Sequence, residues 1–294
     1  MTLKLEGSMT ALATPFKDGA LDEAAYSALV DYQVENGTSV LVPMGTTGEA
    51  VTMTAEEKAR AVTVCIKANK GRAKVIAGAG SYSTAETVDN VRRVRELGAD
   101  GALIVTPYYN KPTQAGLVEH YRAIAKAHPG FPLVAYNVPG RTGFDLLPET
   151  ALRLCEIPEV IALKEATGSA LRALDVFEKC GERLVLLSGD DFVVAPLIAC
   201  GAKGVISVSS NIVPRHMADL VAAGLKGDFK RARELQLQLA PLHRLLFIES
   251  NPIPVKMALH LMGRFGTELR APLSVMTEGN AAKLKEELQR LKLV

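Results

Sequence analysis

Lys164 closes an apolar run, VIALK (160–164), and is followed by Glu165 and a turn-like Ala-Thr-Gly. A lysine at the end of a buried strand is costly unless its head reaches water. It can leave the strand and snorkel to solvent. It can also be functional. Desolvation disfavours the ammonium, lowers its pKa and frees the amine as a nucleophile. A neutral amine facing a carbonyl compound forms a Schiff base. The functional explanation is preferred because other reactive groups follow comparable runs. Thr46 and Thr47 lie in GTTGE (45–49), Tyr108 and Tyr109 in TPYYNKP (106–112), and Tyr136, Asn137 and Arg141 in YNVPGRTG (136–143). Ser188-Gly189-Asp190-Asp191 ends another.

Each group has a bland alternative. Glycine-flanked hydroxyls and backbone N–H groups cradle anions, but GTTGE also reads as a plain strand-to-helix turn. No lysine follows it, and Glu49 is unwelcoming to phosphate, so a carboxylate fits better. The tyrosines can be half-buried aromatics or can pass protons in Schiff-base chemistry. Arg141 is either a solvated charge or a fork for a second carboxylate. From the residues alone both remain open.

These groups need elements to bring them together. Eight β-like runs recur, at 9–14, 39–43, 74–79, 101–106, 132–137, 160–164, 184–188 and 204–209. Most are continuously apolar, as suits a parallel sheet buried on both faces. Helical patterns alternate with them. Thr54/Glu57 and Ser83/Glu86 read as capping boxes. Pro148 reads as a first-turn proline. Gly37, Gly71, Gly98, Gly130, Gly181 and Gly201 read as helix stops. Eight strand–helix units in about 225 residues predict a (β/α)8 TIM barrel. A doubly wound open sheet is the alternative, but Gly78-Ala79-Gly80 lacks the third glycine of its fingerprint. In such barrels chemistry collects at the C-terminal strand ends, where all the groups above fall. Beyond about residue 225 the pattern is helical only. The expected organisation is a barrel over 1–224 and a C-terminal helical extension over 225–294.

The 294 residues are 48% hydrophobic and 22% charged, with a formal net charge of +2. No block of like charge points to nucleic acid or an anionic membrane. The start lacks a signal-peptide core, and no apolar run is long enough to span a bilayer, so a cytoplasmic location is expected. Cys65, Cys155, Cys180 and Cys200 form no C-x-x-C pair and read as free, mostly buried thiols. The five histidines show no metal-ligand spacing.

GTTGE, TPYYNKP, YNVPGRTG, LKEATG, LLSGDD and NPIPVK, in order and over essentially the whole chain, resemble the dihydrodipicolinate synthase family of pyruvate-dependent Schiff-base aldolases and lyases. The resemblance implies that Lys164 forms an imine with pyruvate, so that no metal or organic cofactor is required. It implies that Thr46, Thr47 and the backbone at Ile206 hold the pyruvate carboxylate, and that the enamine attacks aspartate semialdehyde. Tyr136 would be the general acid/base, linked through Thr46 to Tyr109 of a neighbouring subunit, and Arg141 would bind the semialdehyde carboxylate. A homotetramer, a dimer of dimers, is implied, and a role in lysine and diaminopimelate biosynthesis.

Lysine-inhibited members carry a serine after GTTGE, histidines in the next helix and an asparagine in the strand-three loop. Here those positions are Ala50, Ala55, Lys58 and Tyr82. A Lys58 cation repels a cationic ligand, so weak or absent lysine feedback is expected. The sister branches, N-acetylneuraminate lyase and keto-deoxy-sugar aldolases, share the lysine and tyrosine but differ around Arg141. A non-catalytic keto-acid-binding barrel needs no amine. A phosphate-binding barrel aldolase needs a glycine-rich site where SGDD supplies acids.

Overall fold

The computed structural model describes residues 3–294. Eight strands close a barrel in which every neighbouring pair is parallel. They are β1 (Gly7–Ala11), β2 (Val40–Val42), β3 (Lys74–Gly78), β4 (Gly101–Val105), β5 (Leu133–Asn137), β6 (Val160–Glu165), β7 (Val185–Ser188) and β8 (Gly204–Ser207). Each of the eight predicted runs overlaps one of them; six enclose it, while β1 starts two residues before its run and β6 ends one residue after its run. Helices α1 (Glu23–Glu35), α2 (Ala55–Asn69), α3 (Thr84–Glu96), α4 (Gln114–Ala127), α5 (Pro148–Leu154), α6 (Ala170–Cys180), α7 (Val194–Ala199) and α8 (Pro214–Leu225) follow the strands in turn. Three more, α9 (Phe229–Leu245), α10 (Ile253–Leu261) and α11 (Glu278–Arg290), make up the C-terminal part.

Side chains alternate across each strand. Met9, Val42, Ile76, Leu103, Val134, Ala162, Leu187 and Ile206 fill the barrel interior. The opposite faces, with Leu41, Val75, Ile104, Ala135, Leu163, Leu186 and Val205, pack against the helices. That is why the runs are apolar throughout. The outer core extends without a break to Leu239, Leu242, Val255 and Leu284 of the C-terminal helices.

The local signals resolve individually. Thr54 and Glu57 form a complete capping box. At α3 only half a box forms: Ser83 accepts from Glu86 N–H, but the Glu86 carboxylate accepts from Ser81 Oγ at 2.7 Å instead. Pro148 opens α5, and all six stop glycines have positive φ. The last strand is shorter than its apolar run. The Asp191 carboxylate accepts from Val208 N–H and Ser209 N–H at 3.0 and 2.9 Å and so ends the ladder at Ser207. A small antiparallel pairing, Phe16–Lys17 with Ala20–Leu21, was not expected from the sequence. No helix among the described residues is long and apolar enough to cross a membrane.

Candidate active site

Lys164 and Tyr136 are register partners on the adjacent strands β6 and β5. Each lies two residues beyond an interior residue, Ala162 and Val134, so both side chains enter the barrel. Lys164 Nζ stands 4.1 Å from the centre of the Tyr136 ring. The lysine is 5% exposed. Among the described residues it makes no side-chain hydrogen bond and no ion pair.

Lys256 makes the contrast. It too is buried, at 0% exposure, but its Nζ lies 2.6 Å from the Glu49 carboxylate and 4.5 Å from the centre of the Phe16 ring. Burial lowers the pKa of Lys256, and Glu49 opposes that shift. One buried lysine is neutralised by a fixed partner. The other, Lys164, is offered to a cavity.

The neighbouring residues hold that offer in place. Glu165, on the outer face of β6, accepts from Asn137 Nδ2 at 3.0 Å and Thr167 N–H at 2.7 Å. Asn137 Nδ2 also donates to Asp145, which receives both Arg172 Nη groups at 2.8 Å. This network ties the ends of β5 and β6 from behind. Burial pushes the Glu165 carboxyl up, against the hydrogen bonds it accepts. Gly189, after β7, leaves room for the lysine: a Cβ there would lie 3.1 Å from Lys164 Cγ and Cε and 2.7 Å from Ala166 Cβ.

Thr46 and Thr47 occupy the turn after β2, closed by Gly48 N–H to Gly45 O at 3.1 Å and Glu49 N–H to Thr46 O at 3.1 Å. Thr14 Oγ1 donates to Gly48 O at 2.8 Å and fastens the turn to the end of β1. A Cβ on Gly78 would sit 1.9 Å from the Met44 carbonyl oxygen, so glycine is what lets β3 pass this turn. Thr47 is buried and accepts from Asn251 Nδ2 at 3.0 Å. Arg141, exposed in the single helical turn Pro139–Thr142, donates from Nη2 to Asn251 O at 3.1 Å.

A cavity of about 220 Å³ takes Lys164, Tyr136, Thr46, Thr47 and Arg141 into one wall. Five of the seven residues to which the family resemblance gives roles therefore meet. Ile206 lies in the interior layer, and Val208 lines the cavity from that strand end. Tyr109 does not reach the cavity of its own chain. It is 91% exposed, with a left-handed φ of 69°. Asn251, Asp190, Phe192 and Phe247 also line the cavity. Asn251 stood in the quoted NPIPVK and Asp190 in SGDD, but neither was given a role. Burial raises the Asp190 carboxyl pKa. A larger cavity of about 550 Å³ adjoins, sharing Thr46, Tyr136 and Arg141 and reaching Lys58, Tyr82, Glu86 and Tyr108. Among the described residues no three His, Cys, Asp or Glu side chains cluster as metal ligands do.

A buried lysine head without an ion-pair partner among the described residues, set over a phenol ring at a barrel mouth, is a geometry suited to imine chemistry. The family model for the dihydrodipicolinate synthetase family matches residues 4–291. The chain belongs to that family. It is 49% identical over 293 residues to the 4-hydroxy-tetrahydrodipicolinate synthase of Maridesulfovibrio salexigens, covering 99% of this chain and 100% of that one. The crystal structure of dihydrodipicolinate synthase from Aquifex aeolicus superposes with a TM-score of 0.96 at 44% identity, over 98% of this chain and 99% of that one. The chloride-inhibited enzyme of Acinetobacter baumannii, solved with pyruvate, gives 0.97 at 43% identity, over 99% and 100%. The dihydrodipicolinate synthetase family thus accounts for nearly the whole chain, helical C-terminal part included.

Proposed function

We propose that this protein condenses pyruvate with L-aspartate 4-semialdehyde through a lysine Schiff base to give 4-hydroxy-tetrahydrodipicolinate. The observation that carries this is Lys164, buried, without an ion-pair partner among the described residues, and facing a cavity with Tyr136 and the two threonines. The naming of the relatives and the pyruvate held by the Acinetobacter baumannii enzyme support it.

Lys164 Nζ, as a free amine, attacks the keto carbon, and the carbinolamine loses water to leave an imine. The carboxylate of the keto acid lies against Thr46 and Thr47, in the glycine-bounded turn, with the backbone at Ile206 assisting. Loss of a methyl proton gives the enamine, whose carbon attacks the aldehyde; the α-amino group of the semialdehyde then attacks the imine carbon, closes the ring and expels Lys164 Nζ as the free amine. Tyr136, whose ring centre lies 4.1 Å from Lys164 Nζ, takes and returns the protons in this scheme. Arg141, at the outer edge of the same cavity, is the fork for the second carboxylate. The covalent imine supplies the electron sink, so the scheme calls on neither a metal nor an organic cofactor. Tyr109, too exposed to serve its own chain, would reach the Thr46–Tyr136 end of a second copy's cavity. A homotetramer built as a dimer of dimers, working in the cytoplasm as part of lysine and diaminopimelate biosynthesis, fits this scheme.

Borohydride reduction in the presence of pyruvate, followed by peptide mapping, tests the chemistry. The expected adduct is on Lys164 and disappears in Lys164→Ala. An adduct on another lysine, or none, would refute it. Condensation assays with aspartate semialdehyde beside sugar aldehydes test the second substrate. Turnover with sugar aldehydes alone would move the protein to a sister branch and end the role given to Arg141.

A further inference from the structure

Asn251 stands between the two anchors for carboxylates. Its side chain is 6% exposed and lies in the wall of the cavity that holds Lys164. Its Nδ2 donates to Thr47 Oγ1 at 3.0 Å, across 204 residues of sequence. Its main-chain oxygen accepts from Arg141 Nη2 at 3.1 Å. Its Oδ1 is buried with no partner. A hydroxyl has one hydrogen to give and lone pairs to receive with. With Asn251 filling an acceptor position of Thr47, the hydroxyl hydrogen stays available. Among the described residues Thr47 Oγ1 donates to nothing.

We propose that Asn251 is a positioning residue that fixes Thr47 as a hydrogen-bond donor towards the carboxylate of the keto acid. This rests on the proposed function. The amide sets the polarity of the hydroxyl, and the donor then meets an anion, the stronger kind of hydrogen bond. Asn251 is itself held in place. It lies just before α10, whose Lys256 is paired with the buried Glu49, the last residue of the GTTGE turn. The C-terminal helical part thus reaches the keto-acid site through two contacts with a single five-residue loop. The contact to Arg141 runs through the main chain, so side-chain substitutions at 251 spare it.

The test measures half-saturation by pyruvate in borohydride trapping at Lys164, with Tm and far-UV circular dichroism as controls for folding. Asn251→Ala should raise half-saturation about 10- to 100-fold. Half-saturation by aspartate semialdehyde should move much less, a split that a general loosening of the fold would not produce. In a Thr47→Val background, adding Asn251→Ala should change pyruvate half-saturation less than about threefold, because residues acting through one another are not additive. Asn251→Asp keeps the volume but turns the donor into an acceptor. It should weaken pyruvate more than Ala does, and it decides the matter if the Ala variant does not fold. Unchanged half-saturation in Asn251→Ala, full additivity with Thr47→Val, or wild-type pyruvate binding in Asn251→Asp would each overturn the proposal. Those results leave the wild-type adduct standing. A wild-type protein that forms no adduct at any pyruvate concentration would instead end the proposed function, and this inference with it.

Discussion

Replacing Lys256 by methionine should destabilise the protein severely, for a reason located in its partner. Lys256 and Glu49 each have a side chain 1% exposed and lie 2.6 Å apart. Removing one partner of a buried pair leaves the other charge desolvated, at a cost of about 3–5 kcal/mol. Unfolding entropy of about 2.1 cal/mol/K per residue, over 294 residues, comes to about 0.6 kcal/mol/K. The loss therefore appears as a Tm lower by about 5–8 °C. Glu49 keeps one further contact, accepting from Arg270 N–H at 2.8 Å, which glutamine can also accept. The double variant Lys256→Met with Glu49→Gln removes the stranded charge and should recover at least half of the loss, since apolar replacement of buried pairs is often neutral. Differential scanning calorimetry of wild type, both single variants and the double gives the full cycle. A double variant as unstable as Lys256→Met alone would refute the argument, because the cost would then lie in packing and not in the orphaned carboxylate.

Tyr109→Phe should lose turnover by about 100-fold or more if its hydroxyl moves a proton. Stability should hold within about 0.5 kcal/mol, because the side chain is 91% exposed. Wild-type turnover would end the relay. Lysine should inhibit weakly or not at all, since Lys58 lines the larger cavity with Ala50, Ala55 and Tyr82; strong inhibition at low lysine concentration in a steady-state assay would refute this. Arg172 holds the Asp145 carboxyl below its usual range, chiefly by hydrogen bonding, with burial opposing. A depressed folded pKa gives stability that is complete above the unfolded value, about 3.9, and is lost as pH falls through the folded one. The gap in urea midpoint between wild type and Asp145→Asn should be level near neutrality and close below about pH 4. A gap that persists to the lowest pH at which the protein folds would refute that origin.

The barrel was legible because burial on both faces leaves a continuous apolar run, and VIALK or GALIVT carries that mark whatever lies elsewhere. Where the strands stop was less legible. The eighth run continues through Val208, but Asp191, 17 residues earlier, takes the two amides that would extend it. The amine, the phenol and the threonines could be read because they share the C-terminal strand ends. Glu49 shows the limit. Beside two threonines it looks like a repulsive charge at the anion turn, yet it is turned into a pair with Lys256, 207 residues away. Asn251 stands in NPIPVK as one residue before a proline, with no role assigned to it. Its hydrogen bond to Thr47 has no local trace, because only the folded chain brings residue 251 to residue 47.

The pairing of Lys164 with Tyr136 across β6 and β5 has a consequence for how the chain folds. Strand faces alternate, so a slip of one residue in β6 would turn Lys164 towards the helices and bring Glu165 to the barrel mouth. A slipped chain would have its amine facing apolar packing and would be silent to pyruvate. Under the proposed function, the chemistry is thus a proofreader of register. If the proposed imine forms at Lys164, the moment during refolding at which borohydride traps pyruvate there would mark the closing of the barrel in its one correct alignment, with no probe added to the protein.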